Sequence, residues 1–320
     1  MVHSKFLLPG ILCLIFTVVQ SENLPEIENT VFLKWFESYK TDEKIRSGEL
    51  NVLSYNTWGL PIELSGHDHE KRFTAMADSI LTLHPDIIGL QETFHPNLRA
   101  QLLNTLPRTF FTYSDYHCNK EIVPFVEKDC YGGLMTLSVY PIIWEQFYPY
   151  PIADETTIIE KIGSKGFLLS RIKYGDRIIQ VINTHLYAGD NKKAERMRLH
   201  QIRFMQQTIQ SIAEYSKYET ILLGDFNVHH PDVACSEVYD FIIQQMAYAD
   251  SKPKISPSDF TSDHSANKYV SSKDKRTKLD YVFYKPVGEK KNIKIISQNR
   301  ALTSTQPLSD HFGWTVRFQI

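Results

Sequence analysis

Six stretches of this chain end in residue types that bind a metal ion or move a proton. They deliver Asn56, Glu92, His185, Asp225 with Asn227, Asp280, and Asp310 with His311. Carboxylate and amide oxygens are hard donors suited to Mg²⁺, which keeps waters and takes one or two carboxylates beside substrate phosphate oxygens. Glu92, Asp310 and Asn56 fit that task. A His beside an acid fits proton transfer: the acid accepts one ring N–H, and the other nitrogen is left to take a proton from water. Asp225 and Asn227 fit holding an attacking water and a phosphoryl oxygen. The chain has no G-x-S-x-G nucleophile elbow, so the simplest chemistry is direct attack of water on phosphorus with a metal offsetting charge. Singly, each residue has an ordinary explanation as a turn residue, a cap or a solvated acid. The repetition points to a site.

The elements that must position these residues are short apolar runs. Ile221 to Leu223 reads as a buried strand, with Gly224 permitting a sharp exit, so that Asp225 and Asn227 emerge pointing the same way. Leu50 to Asn56, Ile87 to Glu92, Arg177 to Asn183, Leu279 to Tyr284 and the run after His311 read likewise as strands. Phe167 to Lys173 joins Arg177 to Asn183 through Tyr174-Gly175-Asp176, a hairpin signal. Gly132 to Val139 is a further strand. Helical spacing marks Val31 to Ser38, Arg72 to Leu83, Asn97 to Leu106, Lys192 to Tyr215 and Ser236 to Gln245. Pro85 bars continuation of the second of these. Residues 142–161 read as mixed and 251–277 as a polar loop. No repeat, low-complexity run or linker interrupts the chain. Many strands with few helices between them predict an α/β fold of two packed sheets flanked by helices. A parallel Rossmann sheet is excluded by the missing glycine-rich fingerprint.

Length and composition set the bounds. The chain has 320 residues and a formal net charge of -2, enough to bury a full core. The near-neutral charge speaks against a strongly basic nucleic-acid binder. Lys5, the apolar run Phe6 to Val19 and the small residues around Ser21 resemble a cleaved signal peptide, too short to span a bilayer, which needs ~20 residues. The expectation is a signal peptide over 1–21, one catalytic domain over 22–320, and a secreted protein, extracellular or periplasmic. In an oxidising compartment Cys118 and Cys130, flanking one loop, are expected to bridge, leaving Cys235 unpaired; free thiols are the alternative.

The series Asn56-Thr57-Trp58, Leu90-Gln91-Glu92, Asn183-Thr184-His185-Leu186, Gly224-Asp225-Phe226-Asn227, Leu279-Asp280-Tyr281 and Ser309-Asp310-His311 resembles, in order, the motifs of the endonuclease/exonuclease/phosphatase superfamily. The resemblance spans about residues 50–318. It implies a four-layer α/β sandwich like that of deoxyribonuclease I, with two packed mixed β-sheets. It implies Glu92 as principal Mg²⁺ ligand with Asn56 beside it and Asp310 as a further metal group, Mn²⁺ or Co²⁺ being substitutes. His311 would be the general base, oriented by Asp280. Asp225 and Asn227 would position water and phosphate, and His185 would stabilise phosphoryl oxygens or assist the leaving group.

Within the superfamily, Asn56 to Pro61 resembles the opening motif of the neutral sphingomyelinase branch. Gly163-Ser164-Lys165-Gly166 resembles its Lys-Gly element, and the spacing Thr261, Asn267, Asp280 also matches. These imply Lys165 and Asn267 as substrate-binding residues. They also imply a monomeric phosphodiesterase that splits sphingomyelin at a membrane surface, with no stable nucleic-acid partner. The loop 259–277 lacks the aromatic tip by which bacterial relatives enter membranes; it is Lys-rich instead. Ile122 to Val126 and Phe147 to Ile152 are candidates to substitute for that device, with ordinary loop packing the favoured reading of each. The rivals are a secreted nuclease or another phosphate-ester hydrolase, and a non-enzymatic effector on the same fold. His67, His69, His229 and His230 read as exposed loop residues, with a place on the site rim as the alternative for the last pair. Arg198 and Gln201 are expected to tie the long helix to the sheet.

Overall fold

Apolar runs without polar alternation belong to strands covered on both faces, and this is how the chain uses them. In the computed structural model, Val52, Leu53, Tyr55, Ile87, Ile88, Leu90, Leu222 and Leu223 are all fully buried. The structure describes residues 47–60, 68–106, 119–123, 126–129, 131–153, 156–288 and 293–320, which fall within one compact unit, Lys40–Ile320. The expected signal peptide, the Val31 to Ser38 helix and the Cys118–Cys130 bridge lie outside the described residues. Cys235 is a free, exposed thiol.

In chain order the strands and helices are β1 (Glu49–Gly59), α1 (His69–Leu81), β2 (Ile87–Thr93), α2 (Pro96–Thr105), β3 (Asn119–Val123), β4 (Val126–Asp129), β5 (Met135–Ser138), β6 (Ile142–Pro149), α3 (Ile158–Gly163), β7 (Gly166–Tyr174), β8 (Arg177–His185), α4 (Lys192–Ser211), β9 (Glu219–Asp225), α5 (Glu237–Asp240), β10 (Ala249–Asp250), β11 (Asp280–Lys285), β12 (Lys294–Ala301) and β13 (Gly313–Gln319). One sheet has the order β12-β13-β1-β2-β5 and the other β10-β11-β9-β8-β7-β6, while β3 and β4 pair separately. In the two main sheets only β1 with β2 and β8 with β9 run parallel. The fold is the expected four-layer α/β sandwich of two mixed sheets. The C-terminal ends of β1, β2, β8 and β9 meet the starts of β11 and β13 at one edge.

The sheets touch where side chains are small or paired. A Cβ on Gly89 would lie 2.0 Å from Leu223 Cδ1 of the opposite sheet, so only glycine permits this approach. Asn183 bridges the sheets from within: its Nδ2 donates to Leu90 O (2.9 Å) and Met135 O (3.0 Å), and its Oδ1 accepts from Gln91 Nε2 (2.8 Å). A buried amide satisfied this fully adds order without leaving a desolvated group.

Several expected elements are corrected. Residues 142–161 contain β6 and α3, and β12 forms where no strand was expected. β6 and β12 are edge strands with partial exposure, so they carry neither a continuous apolar run nor clean alternation. The helix after Ser236 has one α turn and then a π segment, Phe241–Gln245. Gly224 is not an exit device. It sits within β9 at φ +149°, where a Cβ would lie 1.9 Å from Thr184 O of β8. Among the described residues no helix is long and apolar enough to cross a membrane.

Candidate active site

Parallel pairing sets His185 beside Asp225 at the ends of β8 and β9. Antiparallel pairing sets Asp280, the first residue of β11, opposite Asp225. Two sheet registers thus bring three of the expected residues together across almost a hundred positions of chain. His311 enters from the loop before β13. Its Nδ1 lies 2.8 Å from Asp280 Oδ2 and its Nε2 lies 3.8 Å from Asp225 Oδ2. Burial alone would depress the imidazolium, but the charges of Asp280 and Asp225 outweigh it and hold the His311 pKa well above the usual histidine range. His185 is the opposite case. Its Nε2 is 3.5 Å from Asp225 Oδ2 and 3.8 Å from Glu92 Oε1, yet burial and the Lys165 charge push its pKa down to about 3. The pKa values of the two histidines that flank Asp225 are therefore pushed in opposite directions by their surroundings.

Asp225 and Asn227 reach the site by a turn, not by alternation along a strand. Asp225 Oδ1 accepts from Asn227 N (2.9 Å), Asn227 takes φ +52°, and its Nδ2 donates to Leu186 O (3.1 Å). An Asx turn of this kind is what an Asp two residues before an Asn in the left-handed region favours. Burial raises the Asp225 carboxyl, but His311 and His185 outweigh it, so Asp225 stays ionised below the usual carboxylate range.

Glu92 is placed by an irregularity in the ladder between β1 and β2. Register slips between Asn56 and Gly59, and Trp58 (φ +51°) and Glu92 (φ +55°) both enter the left-handed region. Bulges beside sites re-aim side chains in this way, at a backbone cost of ~1–3 kcal/mol per strained residue. Burial first, and then the charge of Asp310, push Glu92 up to about 7. An acid raised by a neighbouring acid in a buried pocket is a place where a cation would lower the energy of both. The donors fit a hard divalent ion. Ligand atoms of Glu92, His185 and Asp225 lie within 4.8 Å of one another, as do those of Asp225, Asp280 and His311. Among the three expected metal groups, Glu92 belongs to such a cluster and Asp310 acts on it as a nearby charge. Asn56 is corrected in its orientation. Its Nδ2 donates to Asp225 Oδ2 (3.0 Å) and its Oδ1 accepts from Trp58 N (2.9 Å), so it braces the carboxylates as a donor.

The two expected substrate-binding residues sit behind the site. Lys165 is buried and donates to Leu186 O (2.8 Å) and Glu160 Oε1 (3.0 Å). Asn267 is buried, donating to Ser309 O (2.8 Å) and accepting from Tyr269 N (3.0 Å). Asn267 therefore holds the loop that carries Asp310 and His311.

Residues given no role of their own from the sequence hold the rest. Arg72 of α1 is buried and donates to Thr57 O (3.1 Å), Trp58 O (2.8 Å) and Leu308 O (2.6 Å), clamping the end of β1 to the His311 loop. Ser309 Oγ donates to Asn56 O (2.7 Å) and accepts from His311 N (3.1 Å). Thr261 Oγ1 accepts from Leu279 N (2.9 Å) and Asp280 N (3.2 Å). The only sequence signal for Arg72 was a charge at a core-facing helical position.

Of the four loop histidines singled out in the sequence, the three that are described are not exposed. His69 and His230 are buried. His230 stacks on Tyr281 (6.2 Å between centroids) and its Nε2 lies 3.8 Å from Asp250 Oδ2. His229 pairs with Asp190 (2.7 Å) and lines the site rim; His67 lies outside the described residues. Arg198 Nη1 donates to Tyr187 O (3.0 Å) and Gly189 O (2.7 Å), and Gln201 Oε1 accepts from Tyr187 N (2.8 Å). The long helix is thus tied to the segment leaving β8. Asp310, His311 and Asn227 open into a cavity of about 310 Å³ also lined by Asp190, Tyr269 and Lys275.

Comparison with known proteins agrees with this geometry. The profile of the Endonuclease/Exonuclease/phosphatase family matches residues 53–311. A Drosophila melanogaster protein provisionally named a neutral sphingomyelinase is 27% identical over 58% of this chain and 41% of its own length. An inositol phosphosphingolipids phospholipase C of Schizosaccharomyces pombe is 26% identical over 84% of this chain and 68% of its own. The chain thus spans about two fifths of the first relative and about two thirds of the second. The crystal structure of sphingomyelinase C from Streptomyces griseocarneus superposes with a TM-score of 0.64 at 19% identity, covering 84% of this chain and 99% of that one.

Proposed function

The chain belongs to the endonuclease/exonuclease/phosphatase family, and on that premise we propose that it is a divalent-metal-dependent phosphodiesterase, using Mg²⁺, that hydrolyses sphingomyelin to ceramide and phosphocholine. The observation that carries the reaction type is His311, held between Asp280 and Asp225 beside the acidic Glu92 pocket. The names of its relatives support a sphingolipid substrate. Export by the N-terminal segment is part of the same proposal.

Glu92, Asp225 and His185 are the groups that would hold the ion. A divalent cation held there would neutralise charge on the phosphoryl oxygens and on the carboxylates that raise the His311 pKa. Asp280 accepts the Nδ1–H of His311, which fixes the tautomer and leaves Nε2 to take a proton from the attacking water. Asp225 and Asn227 orient that water against phosphorus, and neutral His185 faces the same carboxylates without adding charge. The phosphorus–oxygen bond to ceramide breaks as water's oxygen bonds to phosphorus, and the ceramide alkoxide takes up, through solvent, the proton that His311 accepted, leaving phosphocholine.

The test is hydrolysis by the purified chain with Mg²⁺ and with chelator, on sphingomyelin vesicles, an inositol phosphosphingolipid and plasmid DNA. Phosphocholine release only with metal is expected. Nicking of DNA, or release of the inositol headgroup alone, would overturn the substrate assignment.

A further inference from the structure

α3 is a helix with no buried residue. Its Ile158 and Ile159 are 74% and 78% exposed, and nearby Ile152 is 62% exposed. Surface helices ordinarily turn an apolar stripe inward, and single exposed apolar residues need no explanation, but three isoleucines in one short stretch do. The helix is held by polar bonds instead. Thr157 caps it by accepting from Glu160 N, and Glu160 Oε1 accepts from Lys165 Nζ (3.0 Å) and Ala188 N (3.2 Å). Ile152 lines a small cleft with Glu160, Lys165 and Tyr187, so it sits against the same helix.

This apolar rim adjoins the mouth of the site. Lys165 and Asn227 both donate to Leu186 O. A few residues on, Gly189 and Asp190 line the catalytic cavity together with Tyr269 and Lys275. The loop that carries the latter two exposes Lys268, Lys273 and Lys275 against a single exposed acid, Asp274. The segment 186–190 therefore bonds to the isoleucine helix through Glu160 and shares the cavity with the lysine loop.

We propose that this face docks on a bilayer surface, with Ile152, Ile158 and Ile159 entering the boundary of headgroups and acyl chains and the lysine loop meeting anionic headgroups. The proposal rests on the reading that the substrate is a membrane lipid. Apolar anchors with basic residues beside them are the physical requirement for a protein that lies on a membrane without crossing it. Docking in this orientation would bring the cavity that holds His311 against the lipid headgroups.

The experiment is co-sedimentation of the full chain with vesicles of phosphatidylcholine, and of phosphatidylcholine mixed with phosphatidylserine. The variant I158E/I159E should lose binding to both, by about tenfold per isoleucine if each is buried on docking. K268E/K273E should lose binding to the mixed vesicles alone, by roughly fivefold per charge, and the wild-type preference for mixed vesicles should shrink with salt. I158S/I159S guards against a misfolded glutamate variant, and each variant is checked by its thermal midpoint. An isoleucine variant that binds vesicles as the wild type does would overturn the proposal. So would one that binds vesicles normally while abolishing self-association in sedimentation velocity, which would assign the patch to a second copy of the chain. Wild-type protein that docks through these residues but releases no phosphocholine, even from detergent-dispersed sphingomyelin, would overturn the substrate reading and leave the docking face standing. Release from dispersed sphingomyelin without vesicle binding would do the reverse.

Discussion

His311 gains its character from two carboxylates and the loop that carries it. Asp280 receives Nδ1 at 2.8 Å, and Ser309 and Asn267 hold the backbone on either side of Asp310. Replacing Asp280 by Asn keeps the shape but lets the ring adopt the wrong tautomer. In steady-state kinetics Asp280→Asn should lower kcat by about 10³-fold, with little change in KM, as general acid–base catalysis is worth ~10²–10⁴. At this scale the sequence was most legible: polar residues delivered by apolar runs were found by type alone. What it did not show was orientation. Asn56 carries the right atoms but turns its NH₂ toward Asp225 because Trp58 N occupies the oxygen. Arg72 was unreadable because its three carbonyl partners come from two distant segments.

Strand interiors were legible where burial on both faces writes an unbroken apolar run, and illegible at the sheet edges. β6 shows why. It pairs on one side only, with β7, and carries Glu145 into a partly buried place beside Ser170, whose hydroxyl donates to it. Burial pushes Glu145 up to about 7 from an ordinary 4.5, against the Ser170 bond. A carboxyl whose folded pKa is raised stabilises the fold below its unfolded value, and that contribution is lost as pH rises through the folded value. Glu145→Gln should therefore match the wild type in urea unfolding at about pH 4 and exceed it at about pH 8, by on the order of 2 kcal/mol. A wild-type stability that does not fall between those limits relative to the variant would remove the assignment. The turns at the site are a second element-scale case. Trp58, Glu92 and Asn227 all take positive φ; Asn tolerates that region, but nothing in the types of Trp58 and Glu92 announces it.

At the scale of the whole molecule, the site exists because two sheets close on each other. Gly89 marks how tightly: a methyl there meets Leu223 Cδ1 at 2.0 Å and Asn183 Cγ at 3.2 Å. Gly89→Ala should cost ~1–3 kcal/mol by overpacking, read as a lower urea midpoint at unchanged slope. Leu223→Ala in the same chain should make the glycine change cheaper, a coupling that a double-mutant cycle would report. The sequence by itself marked candidate site residues and two packed sheets flanked by helices, because residue type and hydrophobic period are local properties of the chain; that the sheets are mixed came from the family resemblance. Only the tertiary structure decided which groups touch. The register of β8 on β9 and of β9 on β11, the slip between β1 and β2, and the Arg72 clamp set the distances among Glu92, His185, Asp225, Asp280 and His311. Those distances, with burial, hold the pKa of one histidine high and push that of the other low. Charge coupling falls off over a few ångströms, and no spacing along the chain encodes separations that arise only when strands far apart in sequence pair side by side.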